Sequence, residues 1–457
     1  MQNYLILTDQ QKNIWNTEMF FPNSSVNHIG GYINIEQKID SEILEKTANL
    51  YVQHTDSIRS HFIQGDNGPL QYISDYKHFS VDVVSISDQK ELDALCDRLL
   101  NTPFSVIDSD LFKFQIYKFP NGRGGLIGIF HHLVCDAWTM GLLISRLMNI
   151  YSLLIKDADI SIEDYPSFSS YVIDSTKYIN SNKYSKDKKF WDDQLDAWGE
   201  PLYSDIQGLD VLEASRKLHR NKTLRAADIE LDQLFVAVKD YQLEPEPTKN
   251  LIDFCMNHQL SMTNLLLLGI RTYLSKMNHG QEDITIENFI SRRSTHDEWT
   301  SGGSRTIMFP CRTVISADTD FLSAAYEIQN MQNRIYMHSN YDPALIREEM
   351  QKRYHTPKNT AYESCYLTYQ PMPVKLDNPH LVQIPQHAKW FANGAATKKM
   401  YLTVSHTDNG GMNFSYHYQT AHLAEHDMEL LYYYMMRILF KGIAEPDMSI
   451  GEIMEQV

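Results

Sequence analysis

Cysteine is scarce in this sequence: five residues in 457, at positions 96, 135, 255, 311 and 365, none at C-x-x-C spacing. A scattered, odd-numbered set fits a reducing, cytoplasmic setting better than a disulfide framework. Positive charge is also short. Lys and Arg number 41 against 58 Asp and Glu, a formal net charge of -17. That balance argues against nucleic acid or an anionic membrane surface as partner, while leaving room for a local basic patch. The N-terminus lacks signal-peptide architecture, and no apolar run reads as long enough to span a bilayer. Repeats and low-complexity tracts are missing too, which removes solenoids. What is left has a globular composition, 43% hydrophobic and 22% charged, in a chain long enough to need two lobes.

One ten-residue stretch organises the rest: residues 130–139, Phe-His-His-Leu-Val-Cys-Asp-Ala-Trp-Thr. The apolar segment before it (residues 124–130) reads as a buried strand, and residues 138–151 carry apolar side chains at helical spacing. His131, His132 and Asp136 therefore fall on a strand-to-helix turn, where rigid flanks hold exposed groups. Neutral imidazole is the usual proton acceptor near pH 7. Asp136 can orient a ring or brace the turn through an arginine. The plainer reading is two ordinary polar residues at a strand end. A metal site is disfavoured, since the pair lacks helix-face spacing and no Cys or His cluster completes a ligand set.

Residues 131–137, His-His-Leu-Val-Cys-Asp-Ala, resemble the HHxxxDG signature of the condensation domains of nonribosomal peptide synthetases, with Ala137 in place of the glycine. Other segments are similar to that family's motifs, in family order. Thr8 precedes a Gln-rich turn and Trp15, as in the opening motif, and residues 53–62 resemble RHExLRTxF, with Arg59 matching best. Tyr165 to Tyr171, Lys188 to Trp191 and residues 336–343 around His338 are fainter echoes, for which packing is the plainer role. Residues 365–370 resemble the acceptor-side strand, with Thr368 where asparagine is commoner, and residues 390–394 resemble the return of a second crossover. The first crossover, before Arg312, reads as shortened. Residues 22–30 are similar to chain-initiating, starter-type members.

The resemblance implies an α/β (α+β) fold. It would have two chloramphenicol-acetyltransferase-like lobes in a V-shaped pseudo-dimer, with a central tunnel and crossover loops. The lobes are expected at residues 1–175, carrying the HHxxxDA motif, and 176–457, with the floor and latch crossovers. The implied reaction is amide formation between a donor acyl or aminoacyl thioester and an acceptor aminoacyl amine. Both substrates would arrive on phosphopantetheine arms, so the domain itself needs no bound cofactor or metal. His132 is the implied catalytic residue, as base or as the group that holds the amine; the residues leave both open. His131, Asp136, Ala137 and Arg59 are implied as support, with Arg59 as the structural partner of Asp136 and the amide near Ala137 as an oxyanion donor. Trp138, Thr368 and Gln370 are implied on the substrate side. Partners would be upstream and downstream carrier proteins and an adjacent adenylation domain, with the chain a monomer, either excised or free-standing. An acyltransferase taking its donor from coenzyme A, and a non-catalytic recruitment module of the same fold, are the competing readings. Epimerisation lacks an identifiable second acid here, and heterocyclisation would replace the His pair by paired aspartates.

Overall fold

The computed structural model describes residues 3–156, 162, 164–229, 233–370, 384–391 and 393–457. Part of the stretch 157–188, whose Asp-, Ser-, Tyr- and Lys-rich composition suits an inter-lobe connection, and Ala392 within the expected return at 390–394, lie outside these residues. The chain forms two compact units: Met1–Ser181 with Ser291–Thr306 and Pro373–Ala395, and Asn182–Ile290 with Ile307–Met372 and Ala396–Val457. The first unit thus runs six residues past the expected 175. The reason is the helix Phe168–Tyr178, whose first turn is bound by Asp56: its carboxylate accepts the Phe168 and Ser169 amides at 2.9 and 3.0 Å.

The first unit is built on a five-stranded sheet. Its strands run in the order Gln386–Phe391, His28–Lys38, Arg123–His131, Phe112–Lys118 and Val83–Ser85. All pairs are antiparallel except the last. Residues 111–119 alternate strictly and run into Pro-Asn-Gly, a hairpin pattern, and the two strands pair with Phe112 opposite Phe130. Arg123–His131 is central, and every residue after Arg123 is buried, as its near-continuous apolar sequence requires. The edge strand Gln386–Phe391 can close on the sheet because position 31 is glycine; a Cβ there would lie 2.2 Å from the Lys389 carbonyl oxygen.

The helix Ala137–Ile155 packs Met140, Leu143, Leu147 and Ile150 into the core over this sheet. By length and composition it is apolar enough to cross a bilayer, with a mean hydropathy of 1.3, which corrects the reading that no such run exists. Half of that window is buried inside the protein, as expected of a core helix.

The second unit has a six-stranded sheet. Its order is Ile307–Val314, Asp283–Ile290, Cys365–Gln370, Met400–His406, Met412–Gln419 and Val236–Leu243. The apolar residues of 251–277 read as one long helical region, and the chain divides it between two helices, Pro245–Asn257 and Met262–Met277. Gln259, in the left-handed region at φ 53°, breaks them. The helix Glu425–Ala444 is followed by a shorter one, Ile450–Gln456. The fainter motif residues pack here as anticipated: Trp191 stacks on Phe309, and His338 stacks on Phe190 with Nδ1 2.7 Å from the buried Asp187.

Candidate active site

The sheet delivers His131 and His132 to the end of its central strand. His131 sits opposite His28 in the ladder, and the chain then folds tightly: the Val134 amide donates back to the His131 carbonyl at 3.1 Å. The Leu133 amide donates to His131 Nδ1 at 3.2 Å. Nδ1 must then be an acceptor, so the proton lies on Nε2, 3.2 Å from a Glu18 carboxylate oxygen. His131 is fully buried and spends both ring nitrogens on structure.

His132 is different. Its backbone amide donates to the Asn27 carbonyl at 2.7 Å, which fixes the main chain. Its Nδ1–H donates to the Cys135 carbonyl at 3.0 Å, which leaves Nε2 as an acceptor with no partner among the described residues. The ring is half-buried. Burial, with His131 adding to it and Asp136 opposing, pushes its pKa down to about 4, so the ring is neutral at pH 7.

Asp136 ends the turn as the N-cap of the helix Ala137–Ile155. Its Oδ1 lies 2.9 Å from the Thr139 amide, 2.8 Å from the Thr139 hydroxyl and 3.1 Å from Arg293 Nη2. Its Oδ2 meets Arg293 Nη1 at 2.9 Å, the Arg305 and Thr306 amides at 3.1 Å each and the Thr306 hydroxyl at 2.9 Å. Burial alone would raise its pKa. The Arg293 charge and this ring of donors overcome that and hold the carboxyl well below the usual carboxylate range. Asp136 therefore anchors residues 291–306 to the helix start. One residue earlier Arg292 does the same to another first turn, with Nη1 2.7 Å from both oxygens of Asp9. Among the described residues no group of three or more His, Cys, Asp or Glu is placed to hold a metal ion.

A sequence model of the Condensation domain family matches residues 1–455. The chain belongs to the condensation-domain family. Condensation domains are the amide-forming acyltransferases of nonribosomal peptide synthesis. One of the plipastatin synthase subunits of Bacillus subtilis (strain 168) is 20% identical over 98% of this chain, and surfactin synthase subunit 1 from the same organism 21% identical over 98%. This chain spans only 17% and 12% of those two relatives. Among solved structures, the first condensation domain of the CDA synthetase is similar with a TM-score of 0.80, at 16% identity and 98% coverage of both chains. The starter condensation domain of rhizomide synthetase RzmA, as a point mutant in complex with C8-CoA, gives 0.79 at 18% identity, covering 98% of this chain and 97% of that one.

Of the residues expected in this condensation domain's site, His131, His132, Asp136, Ala137 and Trp138 come together. Arg59 does not pair with Asp136. Its Nε donates to the Ser74 carbonyl at 3.1 Å and its Nη1 to the carbonyls of Val52, at 2.8 Å, and Gln53. It closes the end of the helix Ser41–His54, where free carbonyls attract a cation; the partner of Asp136 is Arg293. Thr368 and Gln370 lie in the second unit, half-buried on the strand Cys365–Gln370. Ala137 is the first helical residue, exposed and outside the positive-φ set, so no glycine is required. The amides of Ala137 and Trp138, the first two of the helix, have no intrahelical acceptor and stay available to an anion. Trp138 commits its indole N–H to the Trp299 carbonyl at 2.8 Å.

Glu18, Asn27, Arg293 and Thr306 were not singled out by sequence reasoning as members of the site. The adjacent arginines at 292 and 293, at the end of a strand in an acidic chain, were the one available signal.

Two expectations follow directly. Gly303 has φ 95°, and a Cβ there would lie 2.1 Å from the Phe168 ring, while its carbonyl takes Arg293 Nη2 at 3.0 Å. Gly303→Ala is expected to cost about 2–4 kcal/mol in urea unfolding; a variant that unfolds with the wild type refutes this. Second, burial holds His28, His132 and His417 down to about 4. Unfolded histidines titrate near 6.5, so between about 6.5 and 4 the unfolded state binds more protons and stability falls as pH falls. The loss is up to about 3 kcal/mol per group and complete below the folded value. Urea midpoints at pH 7.5, 6 and 5 should therefore decline, and a flat series contradicts the assignment.

Proposed function

We propose that this condensation domain joins an acyl or aminoacyl group, delivered as a carrier-protein thioester, to the amine of an aminoacyl group on a second carrier. His132 faces the attacking amine in this reading. The observation that supports it is the division of the imidazole: Nδ1–H is tied to the Cys135 carbonyl and Nε2 is left as an acceptor. The amine nitrogen bonds to the thioester carbon, the tetrahedral intermediate collapses with loss of the C–S bond, and the proton shed by nitrogen ends on the departing pantetheine thiol.

An α-ammonium titrates near 8, about four units above His132, so moving its proton to the ring is uphill by about 5 kcal/mol. His132 is better suited to accept a hydrogen bond from the free amine, aim its lone pair and take the proton once C–N bonding has acidified it. The amides of Ala137 and Trp138, at the positive end of the helix, suit the oxyanion. Asp136 has no free lone pair for proton transfer.

The test is amide formation between acyl-loaded donor carriers and aminoacyl-loaded acceptor carriers, read by intact-protein mass spectrometry. Product from wild type but not from His132→Ala supports the reading. Carrier binding without transfer over a broad substrate panel would move it to a recruitment module. One structural neighbour was crystallised with C8-CoA, so an octanoyl-CoA donor belongs in the panel; transfer from it alone favours the coenzyme A reading.

A further inference from the structure

Beside the histidine pair lies a buried carboxylate that the mechanism does not use. Glu18 lies in the helix Asp9–Phe20, its side chain 6% exposed, and among the described residues its one ion-pair partner is His131. A single oxygen, Oε2, accepts two hydrogen bonds: from His131 Nε2 at 3.2 Å and from Asn27 Nδ2 at 2.9 Å. Each donor belongs to a residue that holds the peptide backbone beside His132. His131, with its proton drawn to Nε2, takes the Leu133 amide on Nδ1. Asn27 offers its carbonyl to the His132 amide at 2.7 Å. The same helix adds Gln11, whose Nε2 donates to the Leu133 carbonyl at 3.3 Å and which pairs with Gln71 at 2.7 and 2.8 Å. Burial opposes the charge on Glu18, and the hydrogen bonds from His131 and Asn27 overcome it to keep its pKa low.

We propose that Glu18 is a positioning residue for the condensation reaction: by accepting from His131 and Asn27 it holds the two peptide groups that flank His132 and so aims the imidazole. This rests on the function proposed above. Without an acceptor at position 18, His131 is free to move its proton to Nδ1, which repels the Leu133 amide and loosens the turn. Displacements of an ångström at a reacting group cost about 100-fold in rate.

The experiment compares Glu18→Met, which removes the acceptor at similar size, with Glu18→Gln, which keeps one acceptor oxygen and drops the charge. In the carrier assay the Met variant is expected to lose about 100-fold in kcat with KM within about threefold, and the Gln variant to stay within about threefold of wild type. Nitrogen-15 NMR of labelled histidine should show His131 protonated on Nε2 in wild type and in the Gln variant, and mixed in the Met variant. A folded Met variant with wild-type kcat overturns the proposal, as does a Gln variant no better than Met. If wild type transfers nothing, the functional reading fails on its own, and the NMR comparison still decides: a wild-type tautomer in the Met variant overturns the role of Glu18, and a mixed one upholds it.

Discussion

His132→Ala is expected to lower kcat for amide formation by about 100- to 10,000-fold, the usual contribution of a positioned proton-transfer group. The fold should survive, because among the described residues the half-buried ring makes one hydrogen bond, to the Cys135 carbonyl, while the main chain at this residue is held separately by Asn27. The stronger form of this prediction is the pH profile. A histidine titrating near its ordinary 6.5 would bend the rate there. With His132 pushed down to about 4, the ring is already neutral across the working range, so kcat/KM should rise with pH until the amine itself is deprotonated near 8. An inflection near 6.5 that disappears in His132→Ala would show the ring titrating as an ordinary base and would sink this assignment. His132→Gln adds a further check: the amide can accept from an amine without taking its proton. If aiming the lone pair is the larger contribution, Gln should recover part of what Ala loses.

The pieces legible in the sequence are those encoded by neighbours in the chain. The hairpin Phe112–Lys118 with Arg123–His131 follows from alternation and one turn, and the first helix from Thr8 and Gln11, which form its capping box. The turn at His131 and His132 follows from a strand pattern running into a helix pattern. What escaped was set by contacts across long separations. Arg293 reaches Asp136 over 157 positions, and beyond its neighbour Arg292 nothing local sets it apart from Arg59, which offers the same guanidinium on a family-like motif. Glu18 reads as one more solvated acid on a weakly amphipathic helix; its burial appears only when the sheet places His131 against it. The break at Gln259 was hidden because the apolar spacing continues through it, while a single left-handed residue sets the new direction. The residue that replaces the family's glycine, Ala137, is the opposite case: helical dihedrals at that point suit alanine as well, so the departure carries little structural cost.

The Asp136–Arg293 pair should respond asymmetrically to truncation. Take away Asp136 and, among the described residues, Arg293 keeps as hydrogen-bond acceptors the Ser291 carbonyl at 3.2 Å, the Gly303 carbonyl at 3.0 Å and a long contact to the Thr139 hydroxyl, with the Trp138 ring 5.8 Å away, its Nε already without a partner and its side chain fully buried. An uncompensated buried cation of this kind costs about 3–5 kcal/mol. The helix also loses its N-cap, worth about 1 kcal/mol more. Take away Arg293 instead and Asp136 still has the Thr139, Arg305 and Thr306 amides and two hydroxyls, at the favourable end of a helix. Arg293→Met should therefore be the milder change. In thermal unfolding, Asp136→Ala is expected to lower Tm by about 10 °C or more, with Arg293→Met falling less than half as far. In Asp136→Ala/Arg293→Met the stranded charge is gone, so the double variant should be more stable than Asp136→Ala alone. If instead the two single variants lose equally and the double loses their sum, the pair is not coupled, and Asp136 is anchored by its cap and amide contacts rather than by the guanidinium.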